Sequence, residues 1–200
     1  MSHPLPSCDM PVTTLRDDDP RTAELLAGGA RVVAESWGAR LEVVDPGPLR
    51  ALVRRVTDRG LVVGELTASD AAEVLDLETA TRPDYPDGPA TPRPDLDAAG
   101  AARLFTDGGR VFGVRDDGLL VAVTAVEQLP DRAETAFTSV RATHRGRGVG
   151  TAVKAASVLA LAADGVRRFG TGGAGDNAAS LGMNRAVGYR VTERWLTLES

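Results

Sequence analysis

The most informative segment of the sequence, residues 140–163, reads VRATHRGRGVGTAVKAASVLALAA. It joins the end of an apolar strand to a glycine-rich loop, and the loop leads into a helix predicted over residues 149–163 from apolar positions at helical spacing. The alternating glycines leave backbone N–H groups uncovered, and the helix N-terminus adds partial positive charge. The loop is therefore suited to an anion such as a pyrophosphate, with Arg145 and Arg147 available as cationic contacts.

Other nucleotide-binding patterns do not fit this loop. A P-loop needs Lys and Ser or Thr directly after its last glycine, but Lys154 comes four residues after Gly150, inside the predicted helix. The dinucleotide fingerprint has a different glycine spacing and needs a βαβ repeat, which does not follow here. An Arg-Gly-Arg-Gly run could bind RNA, but the net charge of −5 and the lack of interleaved aromatic residues disfavour a nucleic-acid partner.

The rest of the chain predicts an α/β fold. Hydrophobic periodicity and Gly or Pro breaks give residues 61–200 the element order β-α-α-β-β-β-α-β-α-β. Thr67 and Asp70 form a capping-box pattern ahead of the first of these helices. Residues 82–97 are rich in proline and aspartate and are predicted to form a loop. Strands and helices in this order favour a mixed sheet covered by helices.

Residues 1–60 are predicted to be an N-terminal appendage to a domain formed by residues 61–200. Its first 14 residues read as a loose tail. The elements that follow are a helix over residues 21–28, one or two strands within residues 30–44 and a helix over residues 49–57. The segment GARVVAESW at residues 29–37 is similar to GYRVTERW at residues 188–195, if one inserted residue is allowed. A shared helix-glycine-strand pattern and a partial duplication both explain this similarity, and both stay open.

The composition narrows the classes of protein further. Hydrophobic residues make up 42% of the chain but aromatic residues only 4%, so Val, Leu and Ala must fill the core. Cys8 is the only cysteine, which excludes an intrachain disulfide. The N-terminus lacks signal-peptide features, and no stretch approaches the ~20 apolar residues of a membrane span. We therefore expect a cytoplasmic protein with no membrane partner and no metal site, and we allow for a homodimer.

A second motif, NAASLGMNRAVGY, occupies residues 177–189. Together the two motifs resemble the GNAT superfamily of acetyl-CoA-dependent N-acetyltransferases. The family's Gln/Arg-x-x-Gly-x-Gly/Ala pattern is matched by Arg145, Gly148 and Gly150, and the second motif is similar to its Asn-led helix that ends in Gly-Phe or Gly-Tyr. The resemblance extends from about residue 61 to residue 190. It implies the GNAT fold, a mixed central β-sheet flanked by helices, and it makes the appendage a candidate remnant of a second GNAT domain.

The resemblance also implies a cofactor, acetyl-CoA, and roles for residues by position. The backbone of Thr138, Ser139 and Val140 would pair with the pantetheine arm, and the Val140 N–H would stabilise the oxyanion of the reacting thioester. Asn177 and Asn184 lie seven residues apart, which puts them on one helix face, where they would line the arm. The residues implied to wrap the pyrophosphate are Arg145, Gly146, Arg147, Gly148, Val149, Gly150 and Thr151.

One departure from the family pattern concerns the acid. Many members have a tyrosine four residues before the glycine of the second motif, where it protonates the departing thiolate. Asn184 stands at that position and cannot donate a proton in that way. The two tyrosines of the chain are Tyr85 and Tyr189, and we expect Tyr189 to be a core residue. A non-catalytic acyl-CoA-binding or regulatory module is therefore the alternative to an enzyme.

The implied acceptor is a primary amine of a small molecule or peptide, which must lose a proton because an alkylamine has a pKa near ~10.4. Glu134 lies six residues before Val140, and this even spacing predicts that both lie on one face of a strand. A histone-acetyltransferase branch of the family has a glutamate at the corresponding place as general base. Glu127 on the partner strand is the second candidate, and a β-bulge would reverse the parity of the count.

Two further groups of polar residues lie near the predicted site. His144 precedes the motif arginine, and we interpret it as a phosphate or solvent contact rather than a base. The acidic residues of the proline-rich loop could recognise a cationic amine; they are Asp84, Asp87, Asp95 and Asp97.

Overall fold

Eight strands and six helices make up the part of the protein that the computed structural model describes, residues 12–85 and 96–199. The strands are β1 (Val12–Arg16), β2 (Arg31–Glu42), β3 (Val62–Glu65), β4 (Gly109–Asp116), β5 (Leu119–Gln128), β6 (Ala133–Val140), β7 (Arg168–Ala174) and β8 (Arg190–Glu199). The helices are α1 (Pro20–Ala27), α2 (Gly47–Thr57), α3 (Ala71–Thr81), α4 (Ala98–Arg103), α5 (Val149–Ala163) and α6 (Ala178–Val187).

All eight strands belong to one mixed sheet, in the order β1-β8-β2-β7-β6-β5-β4-β3. Neighbouring strands are antiparallel except β6 and β7, which are parallel. From β3 onward the elements follow the order predicted from the sequence. The predicted fold class, a mixed central sheet flanked by helices, is confirmed.

Helices cover both faces of the sheet. Buried residues of α2, α5 and α6, among them Leu49, Val158 and Val187, pack on one face. On the other face Val74 and Leu77 of α3 pack against β4 and β5. Helix α5 has nine buried residues, which makes it the central helix of its layer. This helix follows directly from the glycine loop, so the loop is anchored by the largest helix of the core.

The N-terminal segment contributes two strands to the sheet. β1 begins at Val12, so the expectation of a loose tail through residue 14 is wrong for its last three residues. β2 is one continuous strand that lies between β7 and β8. Trp37 in β2 is buried, and its indole N–H donates a hydrogen bond to the Ala174 carbonyl at 3.0 Å. The predicted boundary between an appendage and a domain at residue 60 stays a prediction.

The β1–α1–β2 unit and the β7–α6–β8 unit occupy equivalent places in the sheet. Exchanging one unit for the other turns the strand order β1-β8-β2-β7 into β7-β2-β8-β1, which is the same order read from the opposite direction. The register has the same symmetry, because Ser36 pairs with Trp195 and Trp37 pairs with Arg194. The two tryptophans are the ones aligned in the internal sequence similarity. A partial duplication predicts such a pseudo-twofold arrangement, and the duplication stays a prediction.

Candidate active site

A groove opens where the two parallel strands part. β6 and β7 are paired at only two positions, Ala133 with Phe169 and Glu134 with Gly170, although both strands continue beyond them. The resulting cavity has a volume of about 1050 Å³. It is lined by β6, β7, α6 and the glycine loop. The predicted pyrophosphate loop and the second motif therefore border one cavity, as the resemblance implies.

The glycines of the loop adopt conformations that other residues resist. Gly146 and Gly148 have φ angles of 70° and 78°, in the left-handed region. A Cβ atom added to either would meet no other atom within 4 Å, so the space beside their backbone is open. At Gly150, by contrast, an added Cβ would lie 3.0 Å from Val140 Cγ2. The first two glycines leave a cradle for a ligand, and the third lets α5 pack closely on β6.

The two arginines of the loop differ in their surroundings. Arg145 Nε donates to the Val140 carbonyl at 3.0 Å, and its Nη2 lies 2.8 Å from Asp84 Oδ2. The Arg147 side chain is exposed, and its carbonyl accepts a hydrogen bond from Arg59 at 2.8 Å. Arg145 borders the groove, where an anion would have to replace Asp84 as its partner, whereas Arg147 lines a separate small cavity with Arg59 and Asp116.

His144 borders the groove, and its ring has two contacts within the protein, so its interpretation as a phosphate contact stays a prediction. Its Nε2 lies 3.0 Å from Asp116 Oδ2, and its Nδ1 lies 2.8 Å from the Thr143 hydroxyl. The side chain is only 13% exposed. These two contacts hold the ring against the end of β4, so His144 helps to fix the start of the loop.

Part of the β6 backbone that faces the groove is hydrogen-bonded to the side chain of Tyr85. The Arg141 N–H donates to Val121 on β5, so strand alternation turns the N–H groups of Val140 and Thr138 the other way, toward the groove. The Tyr85 hydroxyl donates to the Thr138 carbonyl and lies 2.8 Å from Ser139 Oγ. The sequence interpretation gave Tyr85 no place in the site. Nothing in its local sequence indicates this contact, which spans 53 residues.

The two asparagines of the second motif both line the groove. Asn177 caps α6, because its side-chain oxygen accepts the Ser180 N–H at 2.9 Å. Asn184 is only 1% exposed, and its Nδ2 donates to the Ser180 carbonyl at 2.9 Å. Its Oδ1 has no hydrogen-bond partner within the described residues. A buried acceptor without a donor costs about 1–3 kcal/mol, so this oxygen suggests a donor that a ligand would supply.

Glu134 does not share a face with Val140, and the parity argument is wrong. Ala125 of β5 pairs with Phe137, but the next residue, Val126, pairs with Thr135, so Ala136 is a bulge residue. The extra residue reverses the alternation. Val140 packs with the core beneath α5, whereas Glu134 lies on the opposite face of the sheet.

Arginines surround the Glu134 carboxylate. Its Oε1 lies 3.0 Å from Arg40 Nη1 and 2.9 Å from Arg132 Nε. The side chain remains 28% exposed. Glu127, the second candidate for the base, is the direct cross-strand neighbour of Glu134, so the hairpin does bring the two carboxylates together.

The described aspartates of the proline-rich loop have partners within the protein. Asp84 pairs with Arg145, and the Asp97 side chain caps α4 by accepting the Gly100 N–H at 2.6 Å. Neither is therefore a free group for recognising an amine. Asp87 and Asp95 lie outside the described residues.

Lys154 was singled out in the sequence only to exclude a P-loop, yet it lies in the groove. It is 1% exposed, and its Nζ donates to the Thr171 hydroxyl at 2.8 Å. The ammonium group lies 5.0 Å from the centre of the Tyr189 ring, and Tyr189 is a buried core residue, as expected. Burial lowers the pKa of Lys154 to about 7. The available signal was that Lys154 is the only lysine of the sequence.

The described residues contain neither a membrane-spanning helix nor a cluster of metal ligands. None of their helices is long and apolar enough to cross a membrane. Among the same residues no group of three His, Cys, Asp or Glu side chains could hold a metal ion.

The parted parallel strands and the glycine loop define the class of this protein. A groove of this shape is suited to an extended ligand that carries phosphate. The model of the Acetyltransferase (GNAT) family matches residues 72–189. This match covers more than half of the sequence, and the chain belongs to the GNAT acetyltransferase family. No curated protein matches the sequence.

Several solved structures have the same fold. A GCN5-related N-acetyltransferase from Sphaerobacter thermophilus has a TM-score of 0.72 at 14% identity, covering 94% of this chain and 58% of that chain. A tandem GNAT protein from the clavulanic acid biosynthesis pathway has a TM-score of 0.62 at 21% identity, covering 94% and 63%. The ribosomal-protein-S18-alanine N-acetyltransferase from Escherichia coli has a TM-score of 0.55 at 15% identity, covering 69% and 91%. The chain thus spans less than two thirds of the first two proteins.

Proposed function

We propose that this protein is an acetyl-CoA-dependent N-acetyltransferase that transfers an acetyl group to the primary amine of a small molecule or peptide. The observation that carries the proposal is the groove between β6 and β7 with an open glycine cradle at its wide end. Acetyl-CoA is consumed in this reaction, so it acts as a substrate rather than as a resident cofactor.

The residues of the groove fit the acetyl donor. The pyrophosphate would lie against Gly146 and Gly148 at the N-terminus of α5, where the backbone is open and the helix dipole favours negative charge. The arm carries amide groups, which can pair with the groove-facing backbone of Thr138 and Val140. One of its donors could meet the buried Oδ1 of Asn184. The Val140 N–H lies at the end of β6 beside the loop, so it would pair with the arm, and the thioester would lie further along β6 toward the point where β6 and β7 part.

The acceptor amine would approach from the opposite face of the sheet, on which Glu134 lies. This carboxylate would accept the proton of the amine, directly or through water, in exchange for one of its contacts with Arg40 or Arg132. Because of the bulge at Ala136, Glu134 lies on the face opposite Val140, and this is the face from which the amine would approach. Glu127 stays the second candidate, because it is adjacent on β5.

A non-catalytic acyl-CoA-binding module is the competing function, and Asn184 in the position of the usual tyrosine favours it. The two functions predict different results with acetyl-CoA and a set of amines. A transferase consumes acetyl-CoA faster when its amine is present. A binding module binds acetyl-CoA but leaves it intact.

Calorimetric titration with acetyl-CoA tests the binding half of the proposal. Gly148→Asp would put a side chain and a negative charge into the cradle, and we expect it to weaken binding at least tenfold. Gly165→Asp is the matched control. Gly165 also has a positive φ angle, 100°, and open surroundings, but it follows the C-terminal end of α5. Equal affinity of the parent and Gly148→Asp would refute the placement of the pyrophosphate.

A further inference from the structure

Lysine is used once in this protein, at position 154, whereas arginine occurs 22 times. An arginine stays charged in proteins, but a lysine readily loses its proton when it is buried. The chain therefore places its one readily titrating side-chain amine at a position that is only 1% exposed. This choice of residue type calls for an explanation beyond charge alone.

Lys154 Nζ lies at the narrow end of the groove. β6 and β7 stay paired as far as Gly170, and the hydroxyl that accepts the hydrogen bond from Nζ belongs to the next residue, Thr171. The glycine loop lies at the other, wide end, because β6 runs from the parting point toward it. A donor whose pyrophosphate lies in the loop and whose arm follows β6 would bring its thioester to Lys154.

The surroundings of Lys154 leave it without a counterion. No carboxylate of the described residues forms an ion pair with it, and its contacts are Thr171 and the face of the Tyr189 ring. A buried ammonium without an anion is costly. The buried Asn184 Oδ1 in the same groove needs a donor. A ligand end that combines a thiolate with a neighbouring N–H group would satisfy both.

We infer that Lys154 donates the proton that the sulfur of the acetyl donor takes up, the role that the resemblance gives to a tyrosine at position 184. This inference rests on the proposed function. The amine nitrogen attacks the thioester carbonyl carbon, the C–N bond forms, and the C–S bond breaks with its electron pair on sulfur. The Nζ proton converts the thiolate into a thiol, and the proton of the amine goes to the base or to water. Water then reprotonates Nζ.

The acidity of the candidate donors supports this choice. A free thiol has a pKa of about 8.5. Burial lowers the pKa of Lys154 to about 7, so the transfer from its ammonium to a thiolate is downhill. Burial raises the pKa of both Tyr85 and Tyr189 above its usual value, so transfer from either would be uphill. Tyr85 also comes from the segment after α3, on the face opposite α5 and α6.

The single lysine permits a direct test with lysine labelled with ¹³C at Cε, because the side chain gives one resonance. In the free protein we expect this resonance to titrate with a pKa well below the usual 10.5. Saturation with CoA should lower that pKa further, because the thiol S–H donates a hydrogen bond to the neutral amine and so stabilises the deprotonated form. Desulfo-CoA, which has no sulfur, should bind but should not produce this further lowering.

Each outcome of this titration has a distinct meaning. If both ligands bind and the lysine responds alike to them, the proton-donor role is wrong and the proposed function stands. If neither CoA nor desulfo-CoA binds, the proposed function fails as well. A free-protein pKa near 10.5 would also overturn the inference, since such an amine would be a weaker acid than the thiol.

Kinetics provide the second test, once an acceptor amine is found. Lys154→Met removes the proton but keeps an unbranched side chain of similar length, and we expect kcat to fall by roughly 10²-fold with little change in the KM for acetyl-CoA. Leu161→Met, a change at another buried position of α5, is the matched control and should keep the parent kcat. In the parent, kcat should decline at high pH as Nζ loses its proton. An unchanged kcat and pH profile in Lys154→Met would contradict the role.

Discussion

The amine of Lys154 and the amide of Asn184 are polar groups that the free protein buries at a cost. Each is 1% exposed, and each lacks a partner that would compensate fully for the loss of water. Groups of this kind are kept where a ligand completes their surroundings, and function then limits stability. Both residues lie in the groove rather than elsewhere in the core.

Lys154→Met should stabilise the free protein in a pH-dependent way. The folded protein binds the Lys154 proton less tightly than the unfolded chain, since burial lowers the pKa from 10.5 to about 7. Between these values the unfolded state holds more protons, so the parent gains stability as pH rises. The advantage of the variant should be roughly 5 kcal/mol at most near neutral pH and should shrink toward pH 10. Urea unfolding of both proteins across this range measures it, and an advantage that does not change with pH would count against a buried titrating amine.

Asn184→Leu should separate stability from binding. The change removes the unpartnered oxygen and fills the same space with apolar atoms, so the free energy of unfolding should stay the same or rise. The affinity for CoA should fall by roughly 3- to 10-fold, the usual value of one hydrogen bond. Thermal unfolding and calorimetry give the two quantities. A variant that binds CoA as tightly as the parent would show that Asn184 does not contact the donor.

Helix α5 shows what the sequence could predict. Its predicted range, residues 149–163, is the observed one, because the apolar spacing and the flanking glycines are local signals. The glycine loop could be predicted for the same reason. β1 could not, because its partner is β8 at the other end of the chain, and pairing at that distance leaves no local trace.

The sequence also led to the wrong face for Glu134, because the bulge that decides this face depends on how β6 pairs with β5. Whether β6 carries a bulge at Ala136 depends on its register with β5, and the sequence of β6 alone does not fix that register. The contacts of Lys154 with Thr171 and of Tyr85 with β6 likewise join residues distant in sequence. Only the presence of a single lysine could have drawn attention to Lys154 beforehand.

The position of Glu134 in β6 leads to a prediction about the general base. If Glu134 is the general base, Glu134→Gln should lower kcat by roughly 10²-fold and leave the KM for acetyl-CoA nearly unchanged. The loss should shrink as pH rises, because more of the amine is already neutral. Glu127→Gln, one strand away, is the control and should keep its activity. If the effects of the two variants are exchanged, Glu127 takes over the role.

The N-terminal segment completes the sheet, and we expect the stability of the whole molecule to depend on it. β2 separates β7 from β8, so the strand that forms one wall of the groove depends on a segment before the family match. The pseudo-twofold relation between the β1–α1–β2 and β7–α6–β8 units accounts for the way this segment fits. A partial duplication would supply a strand already shaped to pair with its counterpart.

Trp37→Ala should therefore destabilise the entire fold. Trp37 is 6% exposed and packs in the core beneath α5, so its loss should cost about 3–5 kcal/mol. Trp195→Ala is the matched control, because Trp195 holds the equivalent place in β8 but is only half-buried. Chemical denaturation should show the larger loss for Trp37. Similar small losses for both would mean that β2 is peripheral.

Acetyl transfer itself is the most direct test of the proposed function. The protein is incubated with acetyl-CoA and, separately, spermidine, glucosamine, free lysine and a short peptide with a free N-terminus, and mass spectrometry follows the released CoA and the acetylated amine. We predict that at least one amine class gives the two products in equal amounts, and that Gly148→Asp abolishes both while Gly165→Asp does not. Binding of acetyl-CoA without an acetylated product from any of these amine classes would contradict the transferase and favour the binding module.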